Sequence, residues 1–423
     1  MPGIMASTPC SKRLLVLLVM ATFAACGGEI PPPPTEPAGL AIVGAQLVDG
    51  TGVAPVADSV IVIRDGRIQA AGPRDTTAIP AGAELVDAAG KTVIPGLVDL
   101  HAHYGGELAA SERALKMQLY YGVTTTRSIG SDDPEKVALM LEANAGRPDL
   151  PRAFTAGRGF SYPDGFNARI ANTPTSEEEA RQMVREQAAL GIHFSKMWVN
   201  AVPEPGLKIP PEIRAAIVDE SIKNGLIPVA HIDEEADAVQ LLEAGLNEFL
   251  HSTVLTFGPG AGVPMDDPEP SQATLDLCLA HDCAFTPTLS ITQNNWHFAE
   301  HPELLDDPDL RAVMNPAALE RFSNPETRAR IVDAPEFEDR KAAFRQVQDF
   351  VKTIHDAGIK VALGTDSGTA NVPMGWGTHH ELELYVEAGL TPMETLVAAT
   401  ATGASRVPPV GEADFGTLEA GKS

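Results

Sequence analysis

Two histidines, His101 and His103, are separated by one residue at the end of an apolar run, and this pair is the strongest chemical signal in the chain. In a β-strand, residues i and i+2 point to the same face, so both imidazoles can reach one metal ion. Further potential ligands stand at or near the ends of later apolar runs: Lys196, His231, His251 and Asp366. Four imidazoles and a carboxylate in one concave place would bind zinc or another borderline divalent ion.

Each of these residues alone has an ordinary structural explanation. A histidine at a strand end is more often a packed core or rim residue than a ligand, and an aspartate after a strand usually caps a helix or forms a turn. Lys196 could extend its aliphatic stem from a core layer. Their joint occurrence, in order along successive strands, favours metal binding over these explanations.

The rhythm of the chain from residue 95 onward predicts the elements that hold these residues. Short apolar runs alternate with helical stretches, which is typical of repeated βα units and a parallel sheet. Eight strands are predicted, at residues 98–103, 123–127, 153–156, 194–199, 227–231, 248–252, 284–287 and 360–365. The predicted class is therefore α/β, with a (β/α)8 TIM barrel at residues 95–408. Barrel enzymes build their sites at the carboxyl ends of the strands, where all six candidate ligands would meet.

Residues 40–94 precede the barrel and show short alternating runs separated by turn residues, notably Asp65 and Gly66. Asp-Gly between two such runs predicts a hairpin. We expect a small antiparallel β-sandwich domain here, completed by residues 409–423. Because the sequence stops there without further strands, this domain is expected to be C-terminally truncated, with unpaired strand edges.

The first residues of the chain resemble an export signal. Lys12 and Arg13 precede an apolar run at residues 14–25, which is too short to span a membrane. Residues 23–26 resemble a bacterial lipobox, so we expect a signal peptide at residues 1–26 with lipidation at Cys26. A proline-rich tether is expected at residues 27–39. The expected protein is exported and lipid-anchored to a bacterial membrane; the alternative is a cleaved signal peptide and a periplasmic or secreted soluble protein.

The acidic composition of the chain indicates which binding partners are expected. The formal net charge is −26, from 57 acidic and 31 basic residues. Nucleic acids and anionic lipids bind through lysine and arginine, so this acidity argues against nucleic acid as a partner and leaves only the lipid anchor for membranes. The expected partner is a small-molecule substrate, and assembly into a homo-oligomer is left open.

Several stretches together resemble the amidohydrolase superfamily, close to its imidazolonepropionase-related and dipeptidase-like branch. They are residues 95–103, 122–127, 194–198, 228–231, 248–251, 285–289 and 363–366. The resemblance covers the chain from about residue 40 to its end. It implies two divalent metal ions, zinc by expectation. The implied ligands are His101, His103 and Asp366 for the first ion, His231 and His251 for the second, and a carbamate on Lys196 that bridges both. A mononuclear site with an unmodified lysine is the alternative.

The resemblance also implies an enzyme, a metal-dependent hydrolase that cleaves the C–N amide bond of a dipeptide or an N-acyl amino acid. Asp366 would act as general base and then as general acid. The same ligands serve lactone and organophosphate ester hydrolysis, so that activity is a second hypothesis. A non-catalytic metal-binding lipoprotein is a third.

Two further features concern the surroundings of the site. Tyr162, His379 and His380 are candidate substrate contacts, although a turn and a helix start also explain them. Residues 297–336 carry many proline and acidic residues between predicted strands seven and eight. We expect short helices there, either as a lid over the barrel or as a solvated excursion.

Overall fold

The structure is a computed structural model that describes residues 39–200, 207–251, 269–369 and 371–423. The predicted signal peptide, Cys26 and all of the predicted tether except Gly39 lie outside the described residues. Within the described ranges, no helix combines the length and the apolar character needed to cross a membrane.

A small sheet opens the described part of the chain. Its strands are β1 (Leu40–Leu47), β2 (Val56–Arg64), β3 (Arg67–Pro73), β4 (Glu84–Asp87) and β5 (Thr92–Val93). The predicted hairpin joins β2 to β3, which pair antiparallel. Its two turn residues, Asp65 and Gly66, both have positive φ, at 51° and 71°. This conformation matches the twist of the flanking strands and explains the Asp-Gly pair.

The prediction of an antiparallel sandwich is wrong in its strand pairing. β1 pairs antiparallel with β2 but parallel with both β4 and β5, so these five described strands form one mixed sheet. Local alternation of apolar residues does not specify strand direction, because the connections between strands set it. The last residues of the chain contact this sheet through the Ile68 N–H, which donates to the Lys422 carbonyl at 2.8 Å.

Eight parallel strands follow, close to the predicted positions. They are β6 (Leu97–Ala102), β7 (Val123–Ser128), β8 (Arg152–Thr155), β9 (Phe194–Val199), β10 (Ile227–Ile232), β11 (Glu248–Leu250), β12 (Ala284–Thr286) and β13 (Lys360–Val361). They lie in two sheets, ordered β6-β7-β8 and β13-β12-β11-β10-β9. The α/β class is confirmed, and sequential strands are neighbours, as repeated βα units require.

Hydrogen bonds link the edges of these two sheets. The Leu100 N–H in β6 donates to the Leu363 carbonyl just after β13, at 3.0 Å. On the other side, the Phe160 N–H after β8 donates to the Lys196 carbonyl in β9, at 2.7 Å. The isolated bridges at both edges are parallel. All eight carboxyl ends therefore face the same side.

Helices connect the strands. Between β6 and β12 they are α1 (Leu108–Tyr120), α2 (Pro134–Asn144), α3 (Glu177–Ala188), α4 (Pro211–Lys223), α5 (Glu235–Glu243) and α6 (Gln272–Ala280). Side chains fix several starts: the Ser176 hydroxyl accepts from the Glu179 N–H at the start of α3, for example.

The segment between β12 and β13 forms short helices followed by one long helix. These are α7 (Leu289–Gln293), α8 (His297–Glu300), a 3₁₀ turn (Pro302–Asp306), α9 (Pro308–Val313), α10 (Pro316–Ser323), α11 (Pro325–Val332) and α12 (Phe337–Asp356). The short helices predicted for residues 297–336 are confirmed. After β13 come α13 (Trp376–Glu387), α14 (Pro392–Val397), a π turn (Ala398–Thr402) and α15 (Gly403–Ser405).

An aliphatic core lies between the strands. Val98 and Leu100 of β6 pack in one cluster with Phe194 of β9 and Val229 of β10, so strands of both sheets share this core. Beside them, the fully buried Glu248 carboxylate in β11 pairs with the Arg127 guanidinium at 2.5 Å and with that of Arg406 at 3.3 Å. The buried carboxylate is therefore paired with positive charge, which offsets the cost of removing it from water.

Candidate metal centre

Asp366, just after β13, lies among three of the predicted histidines. Its Oδ1 is 3.0 Å from His103 Nε2 and 3.5 Å from His101 Nε2, while its Oδ2 is 4.0 Å from His251 Nε2. One ligand atom each from His101, His251 and Asp366 lie within 4.8 Å of one another. Borderline divalent cations bind such sets of imidazole nitrogens and carboxylate oxygens.

The histidine rings form a continuous group. Ring centroids are 5.3 Å apart for His101 and His103, 4.9 Å for His101 and His251, and 4.1 Å for His231 and His251. His231 is the penultimate residue of β10, and His251 directly follows β11. The structure therefore brings together the four histidines that the sequence singled out.

The backbones of one histidine ligand candidate and of Asp366 are strained. His251 has φ 69° and Asp366 has φ 58°, in the left-handed region that non-glycine residues rarely adopt. Such conformations cost about 1–3 kcal/mol each and cluster at functional sites. Hydrogen bonds maintain them: the His251 N–H donates to the Thr286 carbonyl at 2.8 Å, and the Asp366 N–H to the His101 carbonyl at 2.7 Å.

Asp99 joins the first strand to the segment after the last one. One of its oxygens accepts from the backbone N–H groups of His101 and Thr365, at 3.1 and 3.2 Å. The other accepts from the Thr365 hydroxyl at 2.8 Å and from Gln118 Nε2 at 3.1 Å. This buried carboxylate therefore holds His101 in a fixed relation to Asp366, which follows Thr365.

Burial sets the protonation of the site. Desolvation, with lesser contributions from neighbouring positive charges, lowers the pKa of His101, His231 and His251 well below the usual range. Their rings are therefore neutral and keep a lone pair for a metal. Burial alone would raise the pKa of Asp366, but the hydrogen bond and charge of His103 and the charges of other neighbours lower it, so this residue is a carboxylate.

Lys196 is a buried amine beside the histidines and Asp366. Its side chain is fully buried in β9, and its Nζ has no hydrogen-bond partner among the described residues. Nζ lies 5.3 Å from the centroid of the Trp198 ring and close enough to Asp366 to be influenced by its charge. Desolvation lowers the pKa of Lys196 to about 7, so a large fraction of the amine is uncharged near neutral pH.

A cavity of about 410 Å³ opens onto the four histidines and Asp366, whereas Lys196 is not among its described lining residues. Its wall includes His101, His103, His231, His251 and Asp366, together with Ser131, Phe166, Asn167, Trp198, Ile291 and Thr369. Small-molecule sites occupy roughly 300–1,000 Å³ and combine an apolar wall with a few convergent polar groups. The cavity fits that description.

Two residues beside His231, Asp233 and Asn200, were not predicted as part of the site. Asp233 Oδ1 lies 3.3 Å from His231 Nε2, and Asn200 Nδ2 donates to both Asp233 oxygens at 3.2 and 3.3 Å. Asn200 also contacts His231 Nε2 directly. All three side chains are buried. The signal was present, because His231 and Asp233 repeat the i, i+2 spacing of His101 and His103 at a strand end.

The three predicted substrate contacts lie elsewhere. None of Tyr162, His379 and His380 is among the described residues that line the 410 Å³ cavity. Tyr162 packs against the main core, His379 donates to the Tyr121 carbonyl at 2.8 Å, and the His380 ring stacks on Trp376. Their contact with substrate stays a prediction.

The neighbour of His380 has a clearer role. Glu381 is buried in α13, and its carboxylate accepts from the Leu289 and Ser290 N–H groups, each at 2.7 Å. It thereby fixes the chain just after β12, where Thr288 holds His251 Nδ1 at 2.6 Å. This role is not predictable from local sequence patterns, because Glu381 lies on a helix 92 residues from Leu289.

Comparisons with known proteins identify relatives over much of the chain. An uncharacterised protein of Mycobacterium tuberculosis is 28% identical over 247 residues, covering 55% of this chain and 58% of that protein. The chain thus spans less than two thirds of that relative. The imidazolonepropionase of Streptomyces griseus is 26% identical over 407 residues, covering 89% of each.

Solved structures are similar over most of the chain. A putative prolidase from Bifidobacterium longum is 28% identical with a TM-score of 0.68, covering 91% of this chain and 86% of that one. A Xaa-Pro dipeptidase with bound methionine is 18% identical with a TM-score of 0.67, covering 90% and 91%, which shows likeness of fold alone. The profile of the amidohydrolase family matches residues 92–423, a span that contains all six predicted ligands. The chain therefore belongs to the amidohydrolase family.

Proposed function

We propose that this protein is a metal-dependent hydrolase that cleaves the C–N amide bond of a dipeptide or an N-acyl amino acid. The observation that carries the proposal is the Asp366 carboxylate, which lies among His101, His103 and His251 and lines a 410 Å³ cavity. The proposal includes a closed (β/α)8 barrel. The hydrogen bonds between the edges of the two parallel sheets support it.

The donor set fits a metal centre. The buried imidazoles are neutral, the carboxylate between them is charged, and the His101 Nδ1 and Lys196 Nζ atoms have no hydrogen-bond partner among the described residues. Without a cation, this much polar burial would be costly. We propose that the site binds two divalent ions and that both are zinc. Their ligands would be His101, His103 and Asp366 for one ion, His231 and His251 for the other, and Lys196 for both.

A carbamate on Lys196 would provide the bridge. The lone pair of an uncharged Nζ can attack carbon dioxide, forming an N–C bond and releasing one proton. The product is an anion with two oxygen donors, whereas an ammonium group has no lone pair to donate. Burial without a hydrogen bond favours the uncharged amine, which supports this step.

Each residue near the metal centre would have a separate role in amide hydrolysis. Divalent cations, when bound, activate water and polarise a carbonyl group. Asp366 would accept the proton of the attacking water and then give it to the leaving amine. The Thr369 hydroxyl donates to the Asp366 backbone carbonyl at 2.6 Å and lies 3.1 Å from Asp366 Oδ1, so it helps to hold the carboxylate. Phe166, Trp198 and Ile291 would limit the access of bulk water to the cavity.

We further propose that the protein is exported and lipid-anchored through Cys26, on the lipobox-like residues 23–26. Anchoring would confine the enzyme to a membrane surface while the barrel acts on small molecules in the surrounding solution. Assembly into a homo-oligomer is compatible with this arrangement.

A substrate panel tests the function. We expect the purified protein to hydrolyse dipeptides or N-acyl amino acids, to lose this activity with a chelator, and to regain it with added zinc. Amidase activity that survives complete metal removal contradicts the proposal. Turnover confined to lactones or phosphotriesters would assign a different bond to the same site. Bound metal with no turnover on any of these compounds would indicate a metal-binding protein instead.

A further inference from the structure

A second cavity of about 660 Å³ adjoins the metal centre, and we refer to it as the α1 groove. It shares His103, Gly105 and Gly368 with the wall of the first cavity. One wall is a single face of α1, made by residues at helical spacing: Ala110, Arg113, Ala114 and Met117. Residues 312–316 and 371–374 form the other sides, with Ala370 outside the described residues. A ligand at the metal centre could therefore extend into this groove.

Ten of the seventeen described lining residues of the α1 groove carry apolar side chains, and Asn315, Asn371, His103 and Arg113 add polar groups. Alanine, valine, proline and methionine side chains form its sides, including Val313, Met314 and Met374. The alanines on α1 leave room, and methionine adapts to ligands of different shape. An aliphatic side chain placed there would be stabilised by the removal of its apolar surface from water.

Arg113 is the lone charged side chain in the described lining of the α1 groove. It makes no hydrogen bond or ion pair with any described residue, whereas its helical neighbour Lys116 pairs with Glu112 and Asp149, each at 3.1 Å. Arg113 is exposed, so its guanidinium is open to a ligand from solution. An unpaired guanidinium beside an aliphatic wall suits a ligand with a carboxylate and an apolar side chain.

We propose that the α1 groove binds the amine half of the substrate, an α-amino acid with an aliphatic side chain and a free carboxylate. Arg113 binds the carboxylate, the aliphatic wall holds the side chain, and the amide bond lies at the metal centre beside His103. This inference rests on the proposed amidohydrolase function, since it names the substrate class of the same site. Arg113 is a specificity-determining residue in this arrangement.

The test compares two substrates in two variants. N-acetyl-leucine carries the carboxylate, whereas N-acetyl-leucinol replaces it with a neutral alcohol. Arg113→Gln should raise KM for N-acetyl-leucine by about 10-fold or more, because a charge-assisted hydrogen bond is lost, and should change KM for N-acetyl-leucinol by less than about 3-fold. Lys116→Gln removes the same charge from the same helix outside the groove. It should leave both KM values nearly unchanged.

A third variant probes the aliphatic wall. Ala114→Phe should fill part of the α1 groove while α1 stays folded, since Ala114 is only partly buried. It should raise KM for N-acetyl-leucine but not for N-acetylglycine, whose product has no side chain. Equal effects on both of these substrates would overturn the assignment of the wall.

The other outcomes are also decisive. The role of Arg113 is refuted by equal changes in KM for leucine and leucinol substrates, or by a Lys116→Gln variant that behaves like Arg113→Gln. If the wild-type protein hydrolyses no amide, the proposed function fails but the groove can still be tested by calorimetry. Leucine should then bind the wild-type protein at least about 10-fold more tightly than the Arg113→Gln variant, and equal affinities would refute the groove as well.

Discussion

Replacing Asp366 with asparagine should lower kcat for amide hydrolysis by about 100- to 10,000-fold, the range that general acid–base catalysis contributes. Asparagine keeps the shape of the side chain but cannot take up a proton. It also removes the negative charge that lies 3.0 Å from His103 and 3.5 Å from His101. The assay should be run at saturating zinc with the bound metal measured, so that loss of proton transfer is separated from loss of metal.

Asp237→Asn is the matched control for this substitution. Asp237 is also buried, but it lies on α5, where it pairs with Arg214 at 2.6 Å and Lys208 at 2.8 Å, and it is not among the described residues of either cavity. This variant should lose stability and keep kcat within a few-fold of the wild type. An Asp366→Asn enzyme with unchanged kcat and normal metal content would show that Asp366 does not transfer the proton.

Replacing Lys196 with methionine should separate activity from stability. Activity should fall by at least about 100-fold, because the bridging ligand is gone and even residues that merely support metal ligands contribute 10- to 100-fold. The free energy of unfolding of the metal-free protein should stay the same or rise by about 1–3 kcal/mol, since methionine removes the cost of burying an amine without a hydrogen bond. Chelator-treated samples and denaturant titrations give this comparison.

Lys136→Met is the matched control for the Lys196→Met variant. Lys136 is also buried, but its Nζ has a partner, the Asp133 carboxylate at 3.2 Å. This variant should therefore keep its activity and lose a little stability. If Lys196→Met were as active as the wild type, neither a bridging carbamate nor any other role of Lys196 in the metal centre would stand.

The strands and the histidine group were predictable from the sequence for physical reasons. Buried parallel strands are short apolar runs, and their carboxyl ends meet on one side, so residues such as His101 and His231 at those ends converge whatever the details of packing. The Asp-Gly turn at residues 65–66 was equally predictable, because few residue pairs adopt that turn without strain.

Other features depend on contacts between distant segments, which local patterns do not reveal. The parallel pairing of β4 with β1 follows from the path of the connection between them. The left-handed conformations of His251 and Asp366 are imposed by hydrogen bonds to neighbouring strands. His380 was predicted to contact substrate because it follows the last strand. Its neighbour Glu381 instead connects α13 to the segment after β12, by accepting hydrogen bonds from the N–H groups of residues 289 and 290.

The most direct measurement is a zinc titration of metal-free protein, with the rate of amide hydrolysis and the bound zinc recorded at each step. Two ions held by His101, His103, Lys196, His231, His251 and Asp366 predict no activity without metal and a rate that rises until two equivalents are bound. A maximum at one equivalent would point to the mononuclear site. Full activity in the metal-free protein would contradict the central claim, that hydrolysis requires metal ions bound at this site.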